Sequence, residues 1–291
     1  MKRGLILAGG AVRGAYQAGI VAALDGAGVH FDVIVGTSVG ACNGAAIVHG
    51  YGGTLCDIWE RSLAEMRWVD PWLMLRGRSP FRISEAMRDV VARYGDFSRL
   101  RASPTELLIS TTEWKTGRNV LFSSKDDASA WTDEERVLHF LASLTIPVIC
   151  TEKIVIRGKR YCDGGLSNNF PVEALVARGC TEVLVIDTSP TGVEAALARI
   201  ATPLARPLSR IPLAAARLAA GYCIAGFAPP PDRHEGVTLR VVAPERPLGF
   251  TGLDFRNLDG IRRALDLGRT IGEALAKEMA PSPAQPASTA A

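Results

Sequence analysis

Two short apolar runs, residues 4–8 (Gly-Leu-Ile-Leu-Ala) and 31–35 (Phe-Asp-Val-Ile-Val), each meet a glycine and lead without a spacer into residues of helical character. Runs of this length, bounded by glycine, read as strands, so each is followed by a tight strand-to-helix turn. The pattern recurs along the chain. Further strands are expected at 106–112, 119–122, 153–156, 182–186 and 237–242, and helices at 14–27, 39–49 and 171–178. Alternation of this kind predicts a mainly parallel central sheet covered on both faces, that is, an α/β fold built as a three-layer α/β/α sandwich. There is no internal repeat.

The 291 residues fit a single such domain, expected over 1–280 with its motif-bearing core at 4–188. A composition of 47% apolar and 22% charged residues supplies a sizeable core and excludes a disordered chain. With 33 basic and 30 acidic residues the net charge is only +3, too small to make a nucleic-acid footprint the default reading, and no nucleic-acid partner is expected. Six cysteines without C-x-x-C spacing and only four histidines suggest neither a zinc module nor a disulfide framework; no metal and no organic cofactor is expected. Two basic and four apolar residues before Gly9 make too short an apolar core for a signal peptide, so the expected location is the cytoplasm. Segments 59–81, with three tryptophans, and 202–231, rich in proline around the apolar stretch 211–227, read as lids over a cleft. The Pro/Ala/Ser-rich end, 281–291, reads as a disordered tail.

Gly36-Thr37-Ser38-Val39-Gly40 sits between the second strand and a helix of small residues. In that context G-x-S-x-G is a nucleophile elbow, whose glycines permit a strained turn that lifts the serine Oγ above the sheet edge. Gly9-Gly10-Ala11-Val12-Arg13-Gly14 forms the other turn. It lacks the third glycine of a dinucleotide loop and the Gly-Lys-Ser/Thr of a P-loop, and fits an oxyanion hole better than a phosphate cradle. Asp163-Gly164-Gly165 follows an expected hairpin and either caps it as a turn or aims a carboxylate into the cleft. A serine hydrolase ordinarily takes a histidine base, and only His234, on a loop before a late strand, offers one; a Ser38, Asp163 (or Asp187), His234 triad is therefore one reading, a Ser-Asp dyad the better one.

Together these three motifs resemble the patatin-like phospholipase family: Gly9 to Gly14 its oxyanion loop, Gly36 to Gly40 its elbow, Asp163-Gly164-Gly165 its D-G-G/A element, with Ala142-Ser143, Pro147 and Asn168-Asn169-Phe170-Pro171-Val172 as supporting matches. Ala11 departs, standing where many members have glycine. The resemblance implies Ser38 as nucleophile and Asp163 as sole base, with backbone donors from Gly9, Gly10, Ala11 and Val39. Arg13, Gly14, Gly36, Gly40, Gly164 and Gly165 support them. Arg13 either steadies the glycine loop or meets a phosphate, or else is an exposed residue at a helix start. The implied activity is hydrolysis of fatty acyl esters of phospholipids or lysophospholipids, with transient membrane-surface contact through the Trp68/Trp72 segment or 211–227. The competing readings are a small-ester or thioester hydrolase using His234 and a non-catalytic phosphate-binding module.

Overall fold

The structure is a computed structural model, and it describes residues 2–76, 79–126, 131–147, 149–189, 234 and 236–279. The segment 202–231, its apolar stretch 211–227 and the tail 281–291 lie outside the described residues.

Eight strands form one mixed sheet: β1 (Arg3–Leu7), β2 (Val33–Thr37), β3 (Glu106–Glu113), β4 (Asn119–Ser123), β5 (Ile154–Ile156), β6 (Lys159–Asp163), β7 (Glu182–Ile186) and β8 (Thr238–Val242). Five of them, in the order β3-β2-β1-β7-β8, are parallel, and β4, β5 and β6 join antiparallel around β3. The helices are α1 (Gly14–Gly26), α2 (Val39–Val48), α3 (Leu55–Glu65), α4 (Ile83–Tyr94), α5 (Phe97–Ala102), α6 (Asp133–Leu144), α7 (Val172–Val176) and α8 (Leu258–Met279).

Four of the parallel strands, β1, β2, β3 and β7, are buried on both sides, while the edge strand β8 is largely exposed; the alternation of the buried four divides them between two cores. Leu5, Leu7, Ile34, Leu107, Ile109, Leu184 and Ile186 join the larger core under α1, α2 and α8. Ile6, Val33, Val35, Leu108, Val183 and Val185 face the other way, onto Phe170, Val172 and Leu175 around the short α7. β2 runs two residues later than its apolar pattern predicts. Asp32 exchanges backbone and side-chain bonds with Arg3 at the sheet's entrance, and Gly36 and Thr37 stay in the ladder opposite Leu7 and Ser110. α8 is absent from the sequence expectation although its buried positions, Ile261, Ala264, Leu265, Gly268, Gly272, Leu275 and Ala276, repeat at helical spacing.

Candidate active site

Ser38 occupies the turn between β2 and α2 at φ 55°, ψ −126°. Among the described residues only Ala11 and Arg157 share a positive φ without being glycine. Such a conformation costs on the order of 1–3 kcal/mol and persists only where its surroundings over-determine it. Here they do. The Ser38 amide donates to Ser143 Oγ at 2.8 Å, and that hydroxyl donates in turn to the Ser110 carbonyl at 2.7 Å. The Ala41 amide closes the turn on the Ser38 carbonyl at 2.9 Å. Gly40 must be glycine, since a Cβ there would stand 2.0 Å from the Leu7 carbonyl oxygen.

The strand register brings Asp163 to the same place. β3 pairs with β2 through Ser110 and with β4 through the same residues on its other edge, so β6, which pairs with Thr111 and Thr112, continues along the β2 edge. β2 and β6 therefore run head to head: Thr37 ends opposite Ser110 and Asp163 ends opposite Thr111. Asp163 is fully buried, its amide bonded to the Thr145 carbonyl and its Oδ1 accepting from Gly165 N–H at 2.9 Å. A Cβ on Gly164 would stand 2.4 Å from the Ser110 carbonyl, so this loop closes onto β3 only with glycine.

The glycine loop lies on the other side of Ser38, after β1. Gly9 does not hold an open donor: its amide is given to Asn169 Oδ1 at 2.7 Å, while its carbonyl accepts from Thr188 Oγ1 at 2.8 Å. The Val12 amide donates to the Gly252 carbonyl. The amides of Gly10, Ala11 and Val39 donate to no group among the described residues. Arg13 is buried, not exposed at the helix start, and its Nε lies 3.4 Å from the Gly10 carbonyl it steadies. Gln17 donates to both the Ala8 and Ile186 carbonyls, at 2.8 and 2.9 Å, and accepts from Asn43 on α2, whose own Oδ1 holds the Trp59 indole N–H at 2.9 Å. This buried chain locks the two turns together. Gln17, Asn43 and Ser110 carry no motif; the one signal for Gln17 is a lone amide in an otherwise apolar helix.

Ser38 opens onto an apolar cavity of about 150 Å³. Its walls are one stripe of α2, with Val39, Cys42 and Ala46, and the inner faces of α3 and α4. Residues 59–65 of the segment expected to be a lid are thus a helix wall: Trp59 is pinned to Asn43 and Trp68 stacks on Phe255 at 5.3 Å between ring centroids. Burial pushes the Cys42 thiol up to about 12, which makes it a neutral wall residue rather than a second nucleophile.

A sequence profile described as patatin-like phospholipase matches residues 5–176, well over half the chain and spanning both turns and Asp163. The chain belongs to this family. A lysophospholipase nte1 of Aspergillus terreus is 31% identical over 196 residues, and a lysophospholipase NTE1 of Kluyveromyces lactis 26% identical over 202. Each match covers 63% of this chain and 12% of the relative, so the chain spans only a small part of the curated proteins it resembles. The crystal structure of VipD from Legionella pneumophila superposes with a TM-score of 0.48 and 14% identity, over 96% of this chain and 67% of that one.

Within this patatin-like frame the triad reading fails on geometry. His234 precedes β8, whose first residue, Thr238, pairs with Glu182 at the entrance end of the sheet, whereas Ser38 leaves the exit end. Five residues of strand separate the two ends by roughly 16 Å. His49 stands at the far end of α2, its Nδ1 donating to the Ala45 carbonyl at 2.7 Å and its Nε2 accepting from the Asp96 N–H at 3.1 Å. His139 stacks flat on Phe122 at 3.9 Å, and burial drives it down to about 3, so it stays neutral. Asp187 ends β7, separated from β2 by β1; its Oδ1 accepts from the amides of Thr188 and Ser189, and burial raises it to about 6. Among the described residues no group of three or more His, Cys, Asp or Glu is placed to hold a metal.

Proposed function

We propose that the protein is a lipid acyl hydrolase of the phospholipase A or lysophospholipase type, with Ser38 as nucleophile and Asp163 as its only protein base. The observation that carries this reading is an apolar cavity opening on a serine hydroxyl that the backbone holds in a strained, over-determined turn. Ser38 Oγ attacks the ester carbonyl carbon and its proton passes to Asp163. The carbonyl oxygen, now an oxyanion, is received by the amides of Gly10, Ala11 and Val39; Gly9, already committed to Asn169, serves to hold the loop. Collapse expels the alcohol, which takes the proton from Asp163, and leaves an acyl-serine. Water then gives a proton to Asp163, attacks the acyl carbon, and releases the fatty acid with Ser38 reprotonated.

The surface beside the cavity supports a lipid aggregate as the place of work. On the 3₁₀ turn Pro71–Arg76, Trp72, Met74 and Leu75 are 71, 63 and 80% exposed, flanked by Arg67 and Arg76 and adjacent to Trp68 on the cavity wall. In this reading the turn rests on an anionic lipid surface while the substrate's acyl chain enters. No helix among the described residues is long and apolar enough to cross a membrane.

The test is hydrolysis of acyl lysophospholipids and p-nitrophenyl esters by wild type, Ser38→Ala, Asp163→Asn and His234→Ala, with a fluorophosphonate label on the serine. Activity and labelling lost in Ser38→Ala, turnover reduced by about 10²–10⁴-fold in Asp163→Asn and kept in His234→Ala are expected. A wild type that is inert to every ester and unlabelled overturns the reading.

A further inference from the structure

The cavity has a direction and a length. Its lining along α2 runs from Ser38 at the N-cap through Val39, Cys42, Asn43 and Ala46 to His49 at the C-cap, at helical spacing on a single face from one end of the helix to the other. α3 and α4 border the same space along their whole lengths: Leu55 and Leu63 of α3 and Ile83, Val90 and Tyr94 of α4 all face it. The ends are distinct. Near Ser38 stand Ile146 and Phe140 of the α6 region, with Trp68 on Phe255. At the other end an aromatic group gathers around His49, with Tyr51 stacked on it at 6.2 Å and Tyr94 set edge-on to Tyr51 at 6.3 Å. Both ring nitrogens of His49 are engaged, so this floor is fixed rather than a swinging side chain. Between mouth and floor, α2 presents Cys42, Ala45 and Ala46 together with Asn43, whose amide is held by Gln17 and Trp59.

We propose that α2 is a ruler for the acyl chain, and that the protein takes straight acyl groups of about twelve carbons, with Tyr51 and Tyr94 setting the limit and the small Ala46 leaving the path to them open. The inference rests on Ser38 being the nucleophile. From Val39 to His49 the helix rises about 15 Å. With C–C bonds near 1.5 Å, an extended alkyl chain advances about 1.25 Å per carbon. A carbonyl carbon held at Ser38 therefore places the methyl end of a dodecanoyl chain against Tyr51 and Tyr94. A longer chain meets the floor. A shorter one leaves apolar wall uncovered, losing the burial that would otherwise favour binding. Ala46 lies about 10 Å along the helix from Val39, so a large side chain there would stop an acyl group near its eighth carbon.

The experiment measures kcat/KM for 1-acyl lysophospholipids of one headgroup, with acyl chains from six to eighteen carbons, at constant detergent and below aggregation for each. Wild type, Ala46→Phe and Tyr94→Ala are compared after their thermal melts show folded protein. Wild type is expected to peak near twelve carbons. Ala46→Phe is expected to move the peak to eight or fewer and to lower the ratio of twelve-carbon to six-carbon turnover by at least about tenfold, the scale of discrimination that a few methylenes give in an apolar pocket. Tyr94→Ala, which opens the half-exposed floor, is expected to move the peak to sixteen or beyond. If Ala46→Phe does not fold, the Tyr94→Ala shift carries the test. A profile that is flat, or that neither variant shifts, overturns the ruler while leaving the hydrolase reading intact; a wild type inert on all chains and unlabelled by fluorophosphonate overturns both.

Discussion

The two strand-to-helix turns of this protein are built alike and divide their labour in opposite ways. Each places a non-glycine residue at positive φ past a strand exit, Ala11 at 50° four residues after β1 and Ser38 at 55° directly after β2. Counting partners among the described residues, the first turn leaves the amide of that residue open and gives the next one, on Val12, to Gly252. In the second the amide of Ser38 is taken by Ser143 and the next one, on Val39, is left open. The open amides thus come from both turns, while the hydroxyl comes from one. What separates the two turns is a single side chain, the Ser38 hydroxyl, and the register that brings Asp163 to the end of β2.

Exchanging the two turns' residues tests this contrast most severely. Ser38→Ala is expected to abolish ester turnover, by at least about 10⁴-fold. Adding Ala11→Ser to that variant is expected to restore neither turnover nor fluorophosphonate labelling, because β6 delivers Asp163 along the β2 edge of β3, away from the first turn. Labelling at position 11, read by peptide mass spectrometry, would show that turn geometry alone activates a serine.

Ser143→Ala comes next. It strips the Ser38 amide and the Ser110 carbonyl of a shared partner in a buried place, and each orphaned group costs about 1–3 kcal/mol. A lower Tm and a reduced kcat with little change in KM are expected, and Ser143→Thr, which keeps the hydroxyl, should recover part of both.

Asp187, beneath the first turn, gives a pH signature. Burial raises its pKa to about 6, against the opposing charge of Arg13, so the native state favours the protonated acid. The stability it contributes is complete below the ordinary carboxylate value near 4 and is lost as pH rises through about 6. Chemical denaturation should therefore show Asp187→Asn gaining stability over wild type at pH 7.5 and little or none at pH 4. The smallest effect expected is that of Ala11→Gly, which releases left-handed strain worth roughly 1–2 kcal/mol but frees the unfolded chain by a similar amount, leaving Tm within a few degrees of wild type.

Both turns are legible in the sequence because everything that specifies them is local: an apolar run, a glycine, a helix. The strand expected at 31–35 slips to Val33–Thr37 for a non-local reason, since Gly36 and Thr37 gain ladder partners on β1 and β3 that no window of sequence displays. Asp163-Gly164 reads equally well as an ordinary hairpin turn, and only the register on β3 separates the alternatives. The α3 and α4 segments show apolar residues at helical spacing, yet spacing does not tell a helix face that lines a void from one that fills a core. Trp59 illustrates this. Its tryptophan-rich neighbourhood reads as a flap, whereas its indole N–H is fastened to Asn43 inside the wall.

The head-to-head meeting of β2 and β6 on one edge of β3 has a further consequence. Two adjacent residues, Ser110 and Thr111, set the separation of Ser38 and Asp163, although 124 residues lie between these two in the chain. The excursion that carries α3 and α4 leaves after β2 and returns before β3, outside that shared rung. The wall of the cavity and the rung that aligns Ser38 with Asp163 thus answer to different stretches of the chain, so the space open to a substrate and the alignment of the proposed reacting pair are specified separately.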